Sequence, residues 1–142
     1  MAEKSFTAEE IKLLIPQRSP MMQVDFFQSE NDVEGNTALT ITGDNIFCSD
    51  GLFREPGIIE HIAQSAAAYA GYDTFRRGEA PKLGYIGEVK KLKLGRLPKV
   101  GERIQTHYKV LGTAEGVTLL SAETRVGEET VASGRMKIFI KQ

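Results

Sequence analysis

At 142 residues, 41% hydrophobic and 26% charged, the chain has the size and balance of one globular domain with its own core. A formal net charge of −1 argues against nucleic acid as a partner, and no apolar run approaches the roughly 20 residues a membrane-crossing helix needs. The single cysteine, Cys48, excludes an internal disulfide and a cysteine-built metal site, which fits a reducing cytoplasm; neither metal nor cofactor is expected.

Met1-Ala2-Glu3-Lys4 carries no apolar signal-peptide core, so export is not expected, and the chain runs directly into helical sequence. Thr7 and Glu10 have capping-box spacing for a short helix with Ile11, Leu14 and Ile15 on its apolar face and Pro16 at its end. Met21 to Gln28 and Asn36 to Ile41 read as strands, the second alternating Ala38 and Thr40 with Leu39 and Ile41. From Ile58 to about Phe75 the pattern becomes a long helix of strong helix formers, almost without charge and rich in alanine. A helix apolar all round is a buried one, and its small side chains allow a sheet to approach closely. Arg76-Arg77-Gly78 closes it with cations at the negative end and glycine at the C-cap.

Leu83 to Leu94, Arg103 to Leu111, Val117 to Val126 and Thr130 to Ile140 are rich in β-branched or alternating apolar residues, with short turns between them. Such strands imply antiparallel meanders. One buried helix and a large antiparallel sheet make an α+β fold, whose simplest realisation is the hotdog arrangement, a sheet wrapped around one long central helix. No repeat or linker interrupts it, so residues 1–142 are expected to form a single domain. The cations Arg76, Arg77, Lys82, Lys90, Lys91, Lys93, Arg96 and Lys99 crowd the middle of the chain, as a solvated face or as a surface for an acidic partner.

Three stretches resemble the bacterial 3-hydroxyacyl-acyl-carrier-protein dehydratases of the hotdog fold. Ile15-Pro16-Gln17-Arg18-Ser19-Pro20 through Val24-Asp25 is similar to that family's entry segment, which has a Pro-His-Arg triplet before an apolar run ending in Val-Asp. Pro56-Gly57-Ile58-Ile59-Glu60-His61-Ile62-Ala63-Gln64 is similar to its helix start, and Gly84-Tyr85-Ile86-Gly87 through Pro98-Lys99-Val100-Gly101-Glu102 to the strand and turn that follow. The resemblance implies dehydration of a 3-hydroxyacyl thioester, a hydro-lyase reaction. That chemistry needs a base for the proton beside the carbonyl, an acid for the departing hydroxide, and donors aimed at the thioester oxygen. By the resemblance, Glu60 is the helix carboxylate, Gln64 the accompanying glutamine, and the amide of Gly57 or of its successor Ile58 the oxyanion donor. In the family a histidine from a partner subunit's loop shares the acid–base work.

That histidine is missing here. The corresponding loop runs from Asn45 to Glu55, and Cys48 falls at the histidine's place. Gln17 stands where the entry triplet has histidine. His61 adjoins Glu60 and is the candidate secondary acid–base group, but helix neighbours point about 100° apart. A histidine packed on the sheet or reaching a backbone carbonyl is the alternative. His107 has no motif around it and reads as structural or surface.

The Asp50-Gly51-Leu52 loop with Glu60-His61-Ile62-Ala63-Gln64 and Ala68-Tyr69-Ala70-Gly71 resembles the divergent dehydratase-like proteins of aryl-polyene and flexirubin clusters. Three functions follow: a dehydratase working through Glu60, an acyl thioesterase using the same carboxylate, or a non-catalytic acyl-carrier-binding subunit. All three imply as partner an acyl carrier protein bearing a phosphopantetheine-linked acyl chain, docked on Arg76, Arg77 and Lys91. They also imply a homodimer or higher homo-oligomer, or a heterodimer with a histidine-bearing dehydratase.

Overall fold

One 22-residue helix lies across a seven-stranded antiparallel sheet, the α+β hotdog arrangement that the sequence suggests. The computed structural model describes residues 4–81 and 84–140. In chain order these are β1 (Lys4–Thr7), a 3-10 helix (Ala8–Leu13), β2 (Phe26–Ser29), β3 (Glu34–Thr40), β4 (Cys48–Ser49), β5 (Leu52–Phe53), α1 (Glu55–Arg76), β6 (Gly84–Leu94), β7 (Arg103–Ala114), β8 (Val117–Val126) and β9 (Glu129–Ile140). The sheet order is β1-β2-β3-β7-β8-β9-β6, so β6 forms one edge although it follows α1 in the chain. The start of β6 expected at Leu83, and the cation Lys82, lie outside the described residues.

The helix buries its middle completely: every residue from His61 to Ala68 is shielded from solvent. Around its last turns Phe6, Phe27, Tyr72, Phe75 and Tyr108 pack ring against ring, with centroids 5.2–6.2 Å apart. Gly71 is required at the contact with the 3-10 helix, because a Cβ there would stand 1.7 Å from the Leu14 carbonyl oxygen. Beneath the helix, Thr37, Thr106 and Thr124 lie opposite one another on β3, β7 and β8. This buried polar row hydrogen-bonds to α1: Thr37 Oγ1 is 2.7 Å from Ser65 Oγ, and Thr106 Oγ1 is 2.9 Å from His61 Nε2.

Several boundaries differ from the sequence expectation. Lys4–Thr7, read as leading straight into helix, pairs with β2, while Glu10 still accepts from the Thr7 amide at 3.0 Å. Met21 to Val24 is not strand. The Met21 and Met22 amides fold back onto the Arg18 carbonyl at 2.9 and 3.1 Å, and the Gln23 amide goes to the Gln64 side chain at 2.6 Å. With those groups taken there is no ladder to join, and β2 begins only at Phe26. The helix opens three residues before Ile58, with proline in its first turn, where a missing N–H costs nothing. Asp50 (φ 53°) and Gly51 (φ 77°) make the tight turn of the β4–β5 hairpin, which pairs Ser49 with Leu52.

Candidate active site

Glu60 faces outward from the second turn of α1, half-buried, and lines a pocket of about 200 Å³. Glu60, Ala63 and Ala67 lie along one helix face at the i, i+3, i+7 spacing and form one wall together with Gln17. Gly84, Tyr85 and Ile86 of the edge strand β6 and Ile138 of β9 form the other. A carboxylate thus stands in a small, mostly apolar recess at the rim of the sheet.

Gln64 fixes that carboxylate. Its Oε1 accepts from the Gln23 amide at 2.6 Å, while its Nε2 donates to the Met21 carbonyl and to Glu60 Oε2, each at 2.8 Å. One oxygen of Glu60 is therefore anchored, and the carboxylate is held against the pocket wall. The side-chain amide cannot be turned over, since its oxygen meets a donor and its nitrogen meets two acceptors.

His61 is held apart from the pocket. It is fully buried, with Nδ1 2.8 Å from the Gln23 carbonyl oxygen and Nε2 against Thr106, the backbone-carbonyl role given above as the alternative. Burial lowers its pKa to about 4, so the ring is neutral at ordinary pH and is no solvent-facing acid.

The Gly57 and Ile58 amides, expected as oxyanion donors, are engaged within the chain. Both residues are buried, and both amides donate to the Arg54 carbonyl, at 2.9 and 3.3 Å, because the helix starts earlier than Ile58 and encloses them in its first turn. Gly57 is instead a packing glycine: a Cβ would stand 2.6 Å from the Phe53 ring. Cys48 lies on the hairpin against the core rather than on the pocket wall, and burial pushes its thiol pKa up.

The basic residues divide into two places. Arg76 stacks over Tyr72, 5.0 Å from the ring centroid, and pairs with Asp73. Arg77 pairs with Asp73 and Glu79. Lys91 is at an irregularity of β6, at φ 54°, and no carboxylate of the described residues is within ion-pair distance of it.

Glu30, Glu34 and His107 bring ligand atoms within 4.8 Å of one another, but His107 already faces Asn36 Oδ1 at 3.2 Å and Glu34 Oε2 at 3.0 Å. None of the three lines the pocket.

Of the residues that line the pocket, sequence reasoning named only Glu60 as a site residue. Tyr85 and Ile86 were read only as strand, and Gln17 only as a departure from a triplet. The signal was available in the register of the entry motif and the edge strand, both quoted above, but only the sheet order brings the two together.

No curated protein matches the chain at a significant level. Among solved structures, the dehydratase heterocomplex ApeI:P from Xenorhabdus doucetiae superposes with a TM-score of 0.80 at 18% identity, over 93% of this chain and 91% of that one. Cj0977, a sigma28-regulated virulence protein from Campylobacter jejuni, gives 0.68 at 14% identity over 96% and 93%. The E. coli PaaI protein of the phenylacetic acid degradation operon gives 0.61 at 13% over 80% of each chain. These likenesses establish the fold. The family model described as ApeP dehydratase matches residues 9–142, and the chain belongs to that ApeP-like family.

Proposed function

We propose that the chain is the carboxylate-bearing subunit of a dehydratase that converts a 3-hydroxyacyl thioester, presented by an acyl carrier protein, into the trans-2-enoyl thioester and water. The observation that carries this is Glu60, its Oε2 tied to Gln64, lining an otherwise mostly apolar recess. A carboxylate so placed removes the proton next to the thioester carbonyl; the C3–O bond then breaks and hydroxide leaves with a proton as water. Gln17 and Tyr85 are the other pocket residues whose side chains carry N–H or O–H donors, and they are the candidates to meet the thioester oxygen in place of the Gly57 and Ile58 amides.

Among the described residues no histidine or cysteine lines the pocket. The group that protonates the leaving hydroxide is therefore assigned to a second subunit, brought in along the β6 edge beside Tyr85 and Ile86. The Xenorhabdus relative in fold, itself a heterocomplex, supports such pairing, and family membership supports a role in polyene synthesis. A polyene pathway and a cytoplasmic setting complete the assignment.

The test incubates the chain, alone and with a histidine-bearing dehydratase partner, with a 3-hydroxyacyl-carrier-protein thioester, following enoyl product and released thiol together. Enoyl product that disappears with Glu60→Gln is expected in the paired reaction. Thiol release without enoyl product would replace the dehydratase by a thioesterase. Full activity of the Glu60→Gln complex would reduce the chain to a non-catalytic subunit.

A further inference from the structure

We propose that His61 is a positioning residue for Glu60, acting through the backbone of Gln23 and the side chain of Gln64. The inference rests on the catalytic role proposed for Glu60. A carbonyl oxygen only accepts, so the hydrogen shared with Gln23 sits on His61 Nδ1, and Nε2 is the acceptor. Thr106 then donates to Nε2 and accepts from Thr124, whose Oγ1 is 2.7 Å away. The ring is thereby fixed in one tautomer and one orientation between the Gln23 carbonyl and Thr106 of β7, the latter backed by Thr124 of β8. Its burial and depressed basicity agree with a neutral ring.

Gln23 belongs to no strand, and α1 holds both its backbone polar groups: His61 takes the carbonyl, Gln64 the amide. Its side chain is pinned as well, accepting from Asn45 Nδ2 at 2.7 Å and donating to the Pro20 carbonyl at 3.3 Å. The Gln23 amide in turn orients Gln64, and Gln64 orients Glu60. Releasing the Gln23 carbonyl loosens the segment on which Gln64 is clamped, and with it the carboxylate.

Two substitutions separate the bonds of His61. In His61→Asn the amide nitrogen can take the place of Nδ1 and keep the Gln23 bond. In His61→Gln the longer side chain can reach Thr106 but does not place a donor at Nδ1. Each variant is read three ways: by unfolding stability, by the NMR signals and exchange protection of the Gln64 side-chain amide, and by enoyl formation from a 3-hydroxyacyl-carrier-protein thioester in complex with the partner dehydratase.

His61→Asn should keep the Gln64 signals and a kcat within about threefold, while His61→Gln should lose the protection and fall at least about tenfold in kcat with KM little changed. Wild-type Gln64 signals and kcat in His61→Gln would overturn the proposal. So would equal losses in both variants in step with stability, which is what a purely structural histidine gives. The Gln64 signals need no turnover. If Glu60→Gln proves fully active, Glu60 loses its catalytic role, while those signals still decide whether His61 holds Gln64.

Discussion

Gln64 and Glu60 stand one helical turn apart on α1, and Gln64 Nε2 donates to Glu60 Oε2 across 2.8 Å while also holding the Met21 carbonyl at 2.8 Å. One amide thus joins the candidate base to the segment that leads into β2. Replacing it with leucine, Gln64→Leu, removes all three bonds and leaves the buried Gln23 amide without its acceptor. A loss of about 1–3 kcal/mol in unfolding free energy is expected from that unpaired amide. Urea denaturation measures it, and the enoyl assay should fall with it. An unchanged urea midpoint would mean that the Gln23 amide finds another partner and that the clamp is dispensable.

Much of this was legible in the chain. The long alanine-rich helix announced its burial by lacking charge, and the four late strands by their alternation. What stayed hidden was tertiary. The two-residue strands around Asp50-Gly51 are too short for periodicity to register, although the turn dipeptide was visible. Met21 to Val24 has strand composition, yet its amides are claimed by Arg18 and by a side chain 41 residues away, which no local pattern can show. Glu60 and Gln64 could be paired from helical spacing alone. Tyr85 and Ile86 become neighbours of Glu60 only because β6 returns to the sheet edge beside β9, and Gln17 only because the segment between the 3-10 helix and β2 passes the same face of α1.

The pH dependence of stability should show two separable acid steps. Desolvation holds His61 at about 4 against an ordinary 6.5, so the unfolded chain takes up that proton first. Its contribution is complete above about 6.5 and is lost as pH falls toward 4. Glu102 is held at about 2 against 4.5 by hydrogen bonds from the Arg96 guanidinium and then from the Lys99 amide. Its contribution is complete above 4.5 and is lost as pH falls through about 2. Urea midpoints across pH should lose the upper step in His61→Asn and show a smaller lower step in Glu102→Gln, the remainder coming from Asp73 and Glu123, held low by hydrogen bonds from Arg77 and Arg125. A profile that keeps its upper slope without the histidine would assign that slope to another group.

Carrier docking is expected to depend on Lys91 more than on Arg76 or Arg77. The two arginines already spend their charge on Asp73 and Glu79, and Arg76 also lies on Tyr72. Lys91 has no such partner among the described residues, whereas its neighbour Lys90, opposite Arg135 on β9, is paired with Glu88 at 3.6 Å. Lys91→Glu should weaken carrier binding severalfold at low salt, mainly through the association rate, and the difference should shrink as salt rises. Titration of a labelled carrier protein against Lys91→Glu and Arg77→Glu compares them directly. An equal or larger effect at Arg77 would move the docking surface to the helix end.

The β6 edge is where a second subunit is expected. The opposite edge, β1, is four residues long, whereas β6 runs for eleven. Tyr85 is 52% exposed, Ile86 41% and Phe139 44%, and Tyr85 pairs directly with Phe139 across the two strands. Glu88, Lys90, Lys91 and Lys93 and the irregularities of the second half of β6 blunt that part of the edge, whereas its first residues, Gly84 to Ile86, carry no charge and leave an exposed apolar template for strand addition. Here the apolar end of β6 also lines the Glu60 pocket, so strand addition would close that pocket and bring in the partner's side chains. Ile86→Lys puts a charge on that edge without touching the buried core. It should abolish the complex, seen by light scattering on a sizing column, with little change in the urea midpoint of the isolated chain. A complex of undiminished mass would show that the subunits meet elsewhere and that the pocket is built by this chain alone.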